Sequence, residues 1–201
     1  MIDHVRYFLG VFDFVLILPG LFFWFVIHPF ARSWRRLGPA ITYLIVVPIA
    51  IAIGVLVFHF RRQLLGTNFG TNWSLTAIAV ILYIVMLWVD LKYWKQLKIS
   101  TLIGIPELSP VNQQEGKLLK EGVYGVIRHP RYLSAGLGVL STVLFVNYAG
   151  LYLFILLVVP VGIVVLMLEE RELVDRFGEE YRKYQREVPR FIPRRRTSAQ
   201  R

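Results

Sequence analysis

Arg128-His129-Pro130 and Glu169-Glu170 are two polar clusters set directly against long apolar runs. A guanidinium and an imidazole at a helix start, beside N–H groups with no intrahelical partner, form a good place for a carboxylate or a phosphate. A carboxylate kept out of water needs a cation. If folding joins the clusters, they make either a site for a ligand carrying both signs of charge or a structural ion pair. The elements around them decide whether they meet.

Those elements read as membrane spans. Of the 201 residues 56% are hydrophobic, yet the formal net charge is +10, and mean hydropathy is positive. Soluble domains sit nearer about 45–50% apolar, so apolar bulk with segregated charge predicts a single integral membrane domain over 1–201. Five stretches reach or approach the ~20 apolar residues that cross a bilayer: 8–27, 39–58, 73–89, 132–146 and 149–168. The first runs too long for a signal peptide, and no small-residue cleavage site follows it. It is expected to stay as a helix, with Asp13 near its end and satisfied by a partner or by the interface. The fold class is then all-α: a polytopic membrane bundle of about five transmembrane helices, three of them in residues 1–90, with a cytoplasmic amphipathic helix near the C-terminus.

Charge gives the orientation. All of the 23 Lys and Arg except Arg6, Arg61 and Arg62 fall on one side of these spans. The positive-inside rule places the N-terminus outside and the 90–131 loop and the tail in the cytoplasm. The basic balance thus reads as topology and anionic-lipid contact, and no nucleic-acid motif accompanies it. Without Cys the chain has no disulfide framework, thiolate metal site or thiol nucleophile. His4, His28, His59 and His129 lack metal-ligand spacing, so no metal is expected.

Only Asn147 and Tyr148 separate the last two spans, a turn that permits nothing but an antiparallel hairpin. From Pro130 to the turn is about 18 residues, or ~27 Å of helix, and from the turn to Glu169 about 20 residues, or ~30 Å. Arg128, His129, Glu169 and Glu170 are therefore expected at one depth. Pro130 suits the first turn of a helix, where its missing N–H costs least, and His129 before it should be extended. Beyond the hairpin Leu173, Phe177, Tyr181, Tyr184 and Val188 recur at spacings of four, four, three and four, one stripe of a helix. On an unbroken helix the stripe extended backwards centres on Glu170, leaves Glu169 about 100° away and puts Glu172 near the opposite face. Partners open to Glu170 are Arg128, His129 or a cationic ligand, with a plain Arg128 to Glu170 ion pair as the structural alternative.

Other features carry less. Ser134, Gly138 and Thr142 place small residues where helices pack closely. His28-Pro29 reads as a helix terminator. Trp24, Trp34, Trp73, Trp88 and Trp94 read as an interfacial belt. Residues 68–73 form a turn-rich outer loop, and 101–122, punctuated by Gly and Pro, a loop able to fold over a cytoplasmic pocket.

"LLKEGVYGVIRHPRYLSAG", a hairpin, and then "EERELVDRFGEEYRKYQREVPRFIP" together resemble the C-terminal half of the isoprenylcysteine carboxyl methyltransferase and phospholipid methyltransferase family, over about residues 117 to 193. The resemblance implies an integral membrane enzyme that uses S-adenosyl-L-methionine, bound near the cytosolic end of the last two spans. Its partner would be a lipid or other hydrophobic acceptor reached from the bilayer. Tyr124, Arg128, His129, Pro130 and Tyr132 match the first motif of that family, and Glu169 and Glu170 match its acidic pair. Leu119, Gly122 and Val123 would wrap the cofactor, while Phe177, Gly178, Glu180, Tyr181 and Tyr184 would form the tail helix. Arg128, His129 and Glu170 are the expected catalytic group, which binds and orients rather than reacting covalently. Arg131 stands where the family often carries an apolar residue, which bears on acceptor preference. Two other classes stay open: a membrane NADPH-dependent reductase of the steroid-reductase type and a non-catalytic scaffold. The acidic pair speaks against the first, because a dinucleotide's phosphates call for Arg instead. Glu170 on a packed stripe speaks against the second.

Overall fold

The computed structural model describes residues 1–93 and 118–193. Along them run α1 (Ile2–Ile27), α2 (Ala31–His59), the short α3 (Arg61–Leu65), α4 (Trp73–Tyr93), a 3-10 turn (Gly122–Gly125), α5 (Pro130–Val146), α6 (Ala149–Phe177) and α7 (Glu179–Glu187). The described residues contain no strand; Asn68 and Tyr148 form an isolated bridge. Helices α1, α2, α4 and α6 are long and apolar enough to cross a membrane, and α5 is a shorter apolar helix. Their outward faces carry exposed Leu44, Leu91, Leu156 and Leu157, as expected where hydrocarbon replaces water as solvent. The protein is an integral membrane helix bundle.

Several boundaries differ from the sequence reading. Helix α1 already starts at Ile2, so Asp13 lies mid-helix. It is buried, and its Oδ2 has no hydrogen-bond partner among the described residues. Helix α2 carries a break at Gly38 (φ 78°) just ahead of Pro39, which separates a polar first turn from the apolar span. Helix α6 runs past Leu168 to Phe177, and Gly178 (φ 57°) ends it. The unbroken 169–188 helix is therefore two helices joined at Gly178, and α7 supplies only the later part of the apolar stripe. Of the proposed tryptophan belt, Trp94 lies outside the described residues, as does the 101–117 part of the proposed covering loop.

Packing explains how distant segments reach one place. The largest contact is α4 against α5. There Ser134 donates to the Asp90 carboxylate, Ser141 donates to the Ala79 carbonyl at 2.8 Å, and Gly138 leaves room for Met86. The third small residue on this seam is Ser141, since Thr142 bonds back to Gly138 of its own helix. Helix α1 packs against both α5 and α6, and Val11 and Phe14 share a core with Val143, Val146, Leu151 and Phe154. Wedged into the hairpin in this way, α1 carries its C-terminal residues to the hairpin's open end.

The turn end is fastened by Arg6, whose side chain is fully buried. Its guanidinium donates to the Val146 carbonyl at 2.7 and 3.0 Å, to Asn68 Oδ1 at 2.8 Å and to the Gly70 carbonyl at 2.7 Å. Asn147 takes the left-handed conformation (φ 55°) that closes the turn, and its Nδ2 donates to the Gly70 carbonyl at 2.9 Å. The cation counted as an outer-side charge is thus a clamp. Arg6→Met leaves several of these acceptors unpaired, so it lowers stability by about 3 kcal/mol. A thermal unfolding midpoint in detergent reads this out, and ligand affinity at the other end of the bundle should stay within a fewfold of wild type.

Candidate active site

The expected hairpin geometry holds: His129 Nε2 lies 3.0 Å from Glu170 Oε1. Pro130 opens α5 at its first position, and His129 just before it has left helical conformation (φ −123°, ψ 60°). From the other arm α6 brings Glu170, and the chain after α7 returns across the site. That returning segment pairs with the residues ahead of α5, since the Arg128 amide donates to the Pro189 carbonyl at 2.8 Å and the His129 amide to the Arg190 carbonyl at 3.2 Å. The backbone just ahead of α5 is therefore held by the protein's own tail.

Glu170 is the centre of the charged network. Its Oε1 accepts from Arg128 Nη2 at 2.9 Å and Nε at 3.2 Å, and its Oε2 accepts from Arg190 Nη2 at 2.6 Å. His129 and Glu170 are both buried. An ionised carboxylate cannot donate, so His129 presents Nε2–H to it. Arg128 uses its remaining face on the backbone, donating through Nη1 to the Gln185 carbonyl at 2.7 Å and to the Val188 carbonyl. With its donors so engaged, Arg128 locks the tail onto the hairpin and aims Glu170. Arg190 is the freer cation, its side chain 47% exposed. Glu170 and Arg190 line an open cleft of about 390 Å³ together with Met167, Arg171, Val174, Asp175 and Gln185, a size within the range of small-molecule sites.

Glu169 faces elsewhere. Tyr132 donates its hydroxyl to Glu169 Oε2, and Arg131 Nη2 lies 3.8 Å from the same oxygen. The Arg131 guanidinium sits over the Trp24 ring at 5.3 Å and over Tyr132 at 5.5 Å. His129 and Tyr132 meet edge to face at 5.6 Å, so aromatic rings stand between the two acids. Glu172, expected near the unpacked face, is buried and paired with Arg35 from the first turns of α2. Tyr184 donates to the Tyr124 carbonyl at 2.6 Å. Burial pushes the Tyr184 hydroxyl up to about 12, with the Arg128 guanidinium opposing, so it remains a donor at neutral pH.

Of the residues singled out from sequence, Arg128, His129, Pro130, Tyr132, Glu169 and Glu170 converge. Tyr124 takes part through its carbonyl. Val123 is half-buried, whereas Leu119 and Gly122 are exposed. Arg190 escaped the sequence reading, since it belongs to an extended tail without periodicity; its position directly after a proline that stops the stripe was the available signal. No group of three or more potential metal ligands occurs among the described residues.

Fold and site define a membrane-embedded all-α protein whose charged pocket gathers at one end of its spans. The chain belongs to the phospholipid methyltransferase family, whose model matches residues 73–180. That match takes in α4, which the two motifs did not cover. Over 82 residues, 37% of this chain and 26% of the relative, it is 41% identical to methanethiol S-methyltransferase 1 of Bradyrhizobium diazoefficiens. Over 77 residues, 38% of this chain and 33% of the relative, it is 34% identical to protein-S-isoprenylcysteine O-methyltransferase of Schizosaccharomyces pombe. Methanethiol S-methyltransferase of Pseudomonas deceptionensis is 24% identical over 147 residues, 73% of this chain and 51% of the relative. The chain thus spans between about a quarter and a half of the length of these curated relatives. No solved structure matches it.

Proposed function

We propose that the protein is a membrane methyltransferase that takes its methyl group from S-adenosylmethionine and delivers it to a hydrophobic acceptor arriving from the bilayer. The observation that carries this reading is Glu170, a buried carboxylate set among Arg128, His129 and Arg190 on the wall of an open cleft. The methionine part of the donor carries an ammonium and a carboxylate, and adjacent Glu170 and Arg190 offer one partner for each. The donor group fits these residues. In the resulting division of labour Glu170 and Arg190 hold the donor, Arg128 and His129 fix Glu170 in place, and Tyr124, Val123, Gly122 and Leu119 lie on the segment that would wrap it.

When bound, S-adenosylmethionine supplies a methyl group on a positively charged sulfur. The protein's part is to orient and to exclude water, because a displacement that neutralises charge gains most from positioning in a dry site. The relatives' names pair a small thiol with a prenylated cysteine, both with apolar bodies and both consistent with entry from lipid. A single membrane domain fits the same reading, with three spans in 1–90, the core in 91–201, the N-terminus outside, and the site and C-terminus cytoplasmic. Family membership favours methyl transfer over nicotinamide reduction or a scaffold role.

The test is equilibrium binding of S-adenosylmethionine, S-adenosylhomocysteine and NADPH to the detergent-purified chain. The two sulfur compounds are expected to bind and NADPH is not. Selective NADPH binding, or none of the three binding, overturns the reading. Transfer of a labelled methyl group into a membrane extract then identifies the acceptor by mass spectrometry.

A further inference from the structure

Both oxygens of the Glu170 carboxylate are engaged, each by a different set of side chains. Oε1 accepts from Arg128 and lies 3.0 Å from His129 Nε2. Oε2 accepts from Arg190 Nη2 at 2.6 Å, while Arg190 Nε reaches across to Oε1 at 3.3 Å. These groups are not equally free to leave. The Arg128 side chain is 8% exposed and is anchored through Nη1 to the Gln185 and Val188 carbonyls, so moving it would part the tail from the hairpin. Arg190 is 47% exposed, and its guanidinium has no acceptor other than Glu170 among the described residues. Its backbone is held independently of that contact, because the His129 amide donates to the Arg190 carbonyl and the Arg128 amide to the carbonyl of Pro189. The Arg190 side chain can therefore swing from a fixed base on the wall of the cleft that it lines with Glu170.

We propose that Arg190 is a latch that sets donor specificity: it holds the Glu170 oxygen that the donor's ammonium needs, and it yields that oxygen only to a ligand that brings a carboxylate in exchange. The proposal rests on the methyltransferase reading of the cleft. An ammonium brought to Oε2 meets the Arg190 guanidinium already there, and like charges at such a distance repel. A zwitterionic ligand resolves the conflict. The Glu170–Arg190 pair is lost, but a Glu170–ammonium pair and an Arg190–carboxylate pair form, and an Arg–carboxylate fork is among the stronger charge-assisted contacts. An amine that lacks the carboxylate breaks one pair to make one and leaves its charge beside the displaced guanidinium. The site thus rejects it through a repulsive element rather than through shape. Nothing covalent changes and no proton moves. Arg171 and Asp175 line the same cleft, so a general charge effect is the rival explanation, and Arg171 supplies the control.

The test is calorimetric binding of S-adenosylhomocysteine and of its decarboxylated form, S-adenosyl-3-thiopropylamine, to the full chain in detergent. The two ligands differ only in the carboxylate. Wild type should prefer S-adenosylhomocysteine by about a hundredfold, the usual scale for one charged hydrogen-bonded contact. Arg190→Gln removes both the latch and the carboxylate's partner, so S-adenosylhomocysteine should bind about tenfold more weakly. The decarboxylated ligand should bind about tenfold more tightly than to wild type, the gain expected when a competing state filled about nine-tenths of the time is removed. Arg171→Gln takes the same charge from the same wall and should alter either affinity by no more than about threefold. Arg190→Lys keeps a cation in place and should keep the wild-type order of preference. Decarboxylated ligand that binds Arg190→Gln no more tightly than wild type overturns the proposal, since a structural or purely attractive Arg190 gives that result. An equal gain in Arg171→Gln overturns it too, and in both cases S-adenosylhomocysteine binding to wild type leaves the methyltransferase reading intact. Failure of wild type to bind S-adenosylhomocysteine removes both.

Discussion

Glu170→Gln is expected to weaken S-adenosylhomocysteine binding by about a hundredfold and to destabilise the protein by about 3–5 kcal/mol. The stability loss arises because Arg128 and His129 are buried against this carboxylate and would be left without their counter-ion. Arg190, half-exposed, turns to water and adds little. An amide keeps the shape and accepts one of the hydrogen bonds but cannot balance the charge. The double variant Arg128→Met with Glu170→Leu separates the two roles. Replacing both members of a buried pair with apolar side chains removes the uncompensated charge, so the midpoint should recover in part, short of wild type because the Gln185 and Val188 carbonyls lose Arg128, while ligand binding does not recover. If Glu170→Gln unfolds at the wild-type temperature and binds S-adenosylhomocysteine unchanged, Glu170 is neither keystone nor ligand.

Gly150→Ala should be the most damaging glycine-to-alanine change among the described residues. A Cβ built there would lie 1.6 Å from the Leu64 carbonyl oxygen and 2.9 Å from that of Leu65, both backbone atoms that cannot swing aside. Either α3 moves away or the first turn of α6 opens. Each route disturbs the turn that Arg6 and Asn147 hold, at a cost of about 3 kcal/mol or more. Gly162, in the middle of α6 with no atom close to its Cβ position, provides the matched control. Its change to Ala should be neutral or stabilising by up to about 1 kcal/mol. Thermal midpoints and purification yields of the two variants decide it, and indistinguishable behaviour would mean that α3 does not sit against α6.

How much of this could be read in advance depended on whether chain connectivity or tertiary packing set the answer. The meeting of His129 with Glu170 followed from a two-residue turn and two helix lengths, quantities that sequence contains. The burial of Glu170 was reached through a helix that Gly178 interrupts; it held because the part of α6 that carries Glu170 is intact. Connectivity says nothing about what covers the other sides. Glu172 looked exposed because the position of α2, and hence of Arg35, is a packing result. His28-Pro29 does end α1, at Ile27, but nothing in its spacing reveals that the His28 ring is buried against Trp24. Arg190 sits in a segment held by backbone pairing to Arg128 and His129, a contact with no periodic trace.

The hairpin is pinned at both ends, by Arg6 on the Val146 carbonyl and by Arg128 and His129 on Glu170. Its two arms must therefore stay matched in length, not only in hydrophobicity. One residue inserted into α5 would rotate everything beyond it by about 100° and shift it by ~1.5 Å, carrying His129 off Glu170 with every apolar side chain still apolar. Along these arms residue count is itself a functional trait, one that variation by substitution leaves intact and variation by insertion or deletion does not.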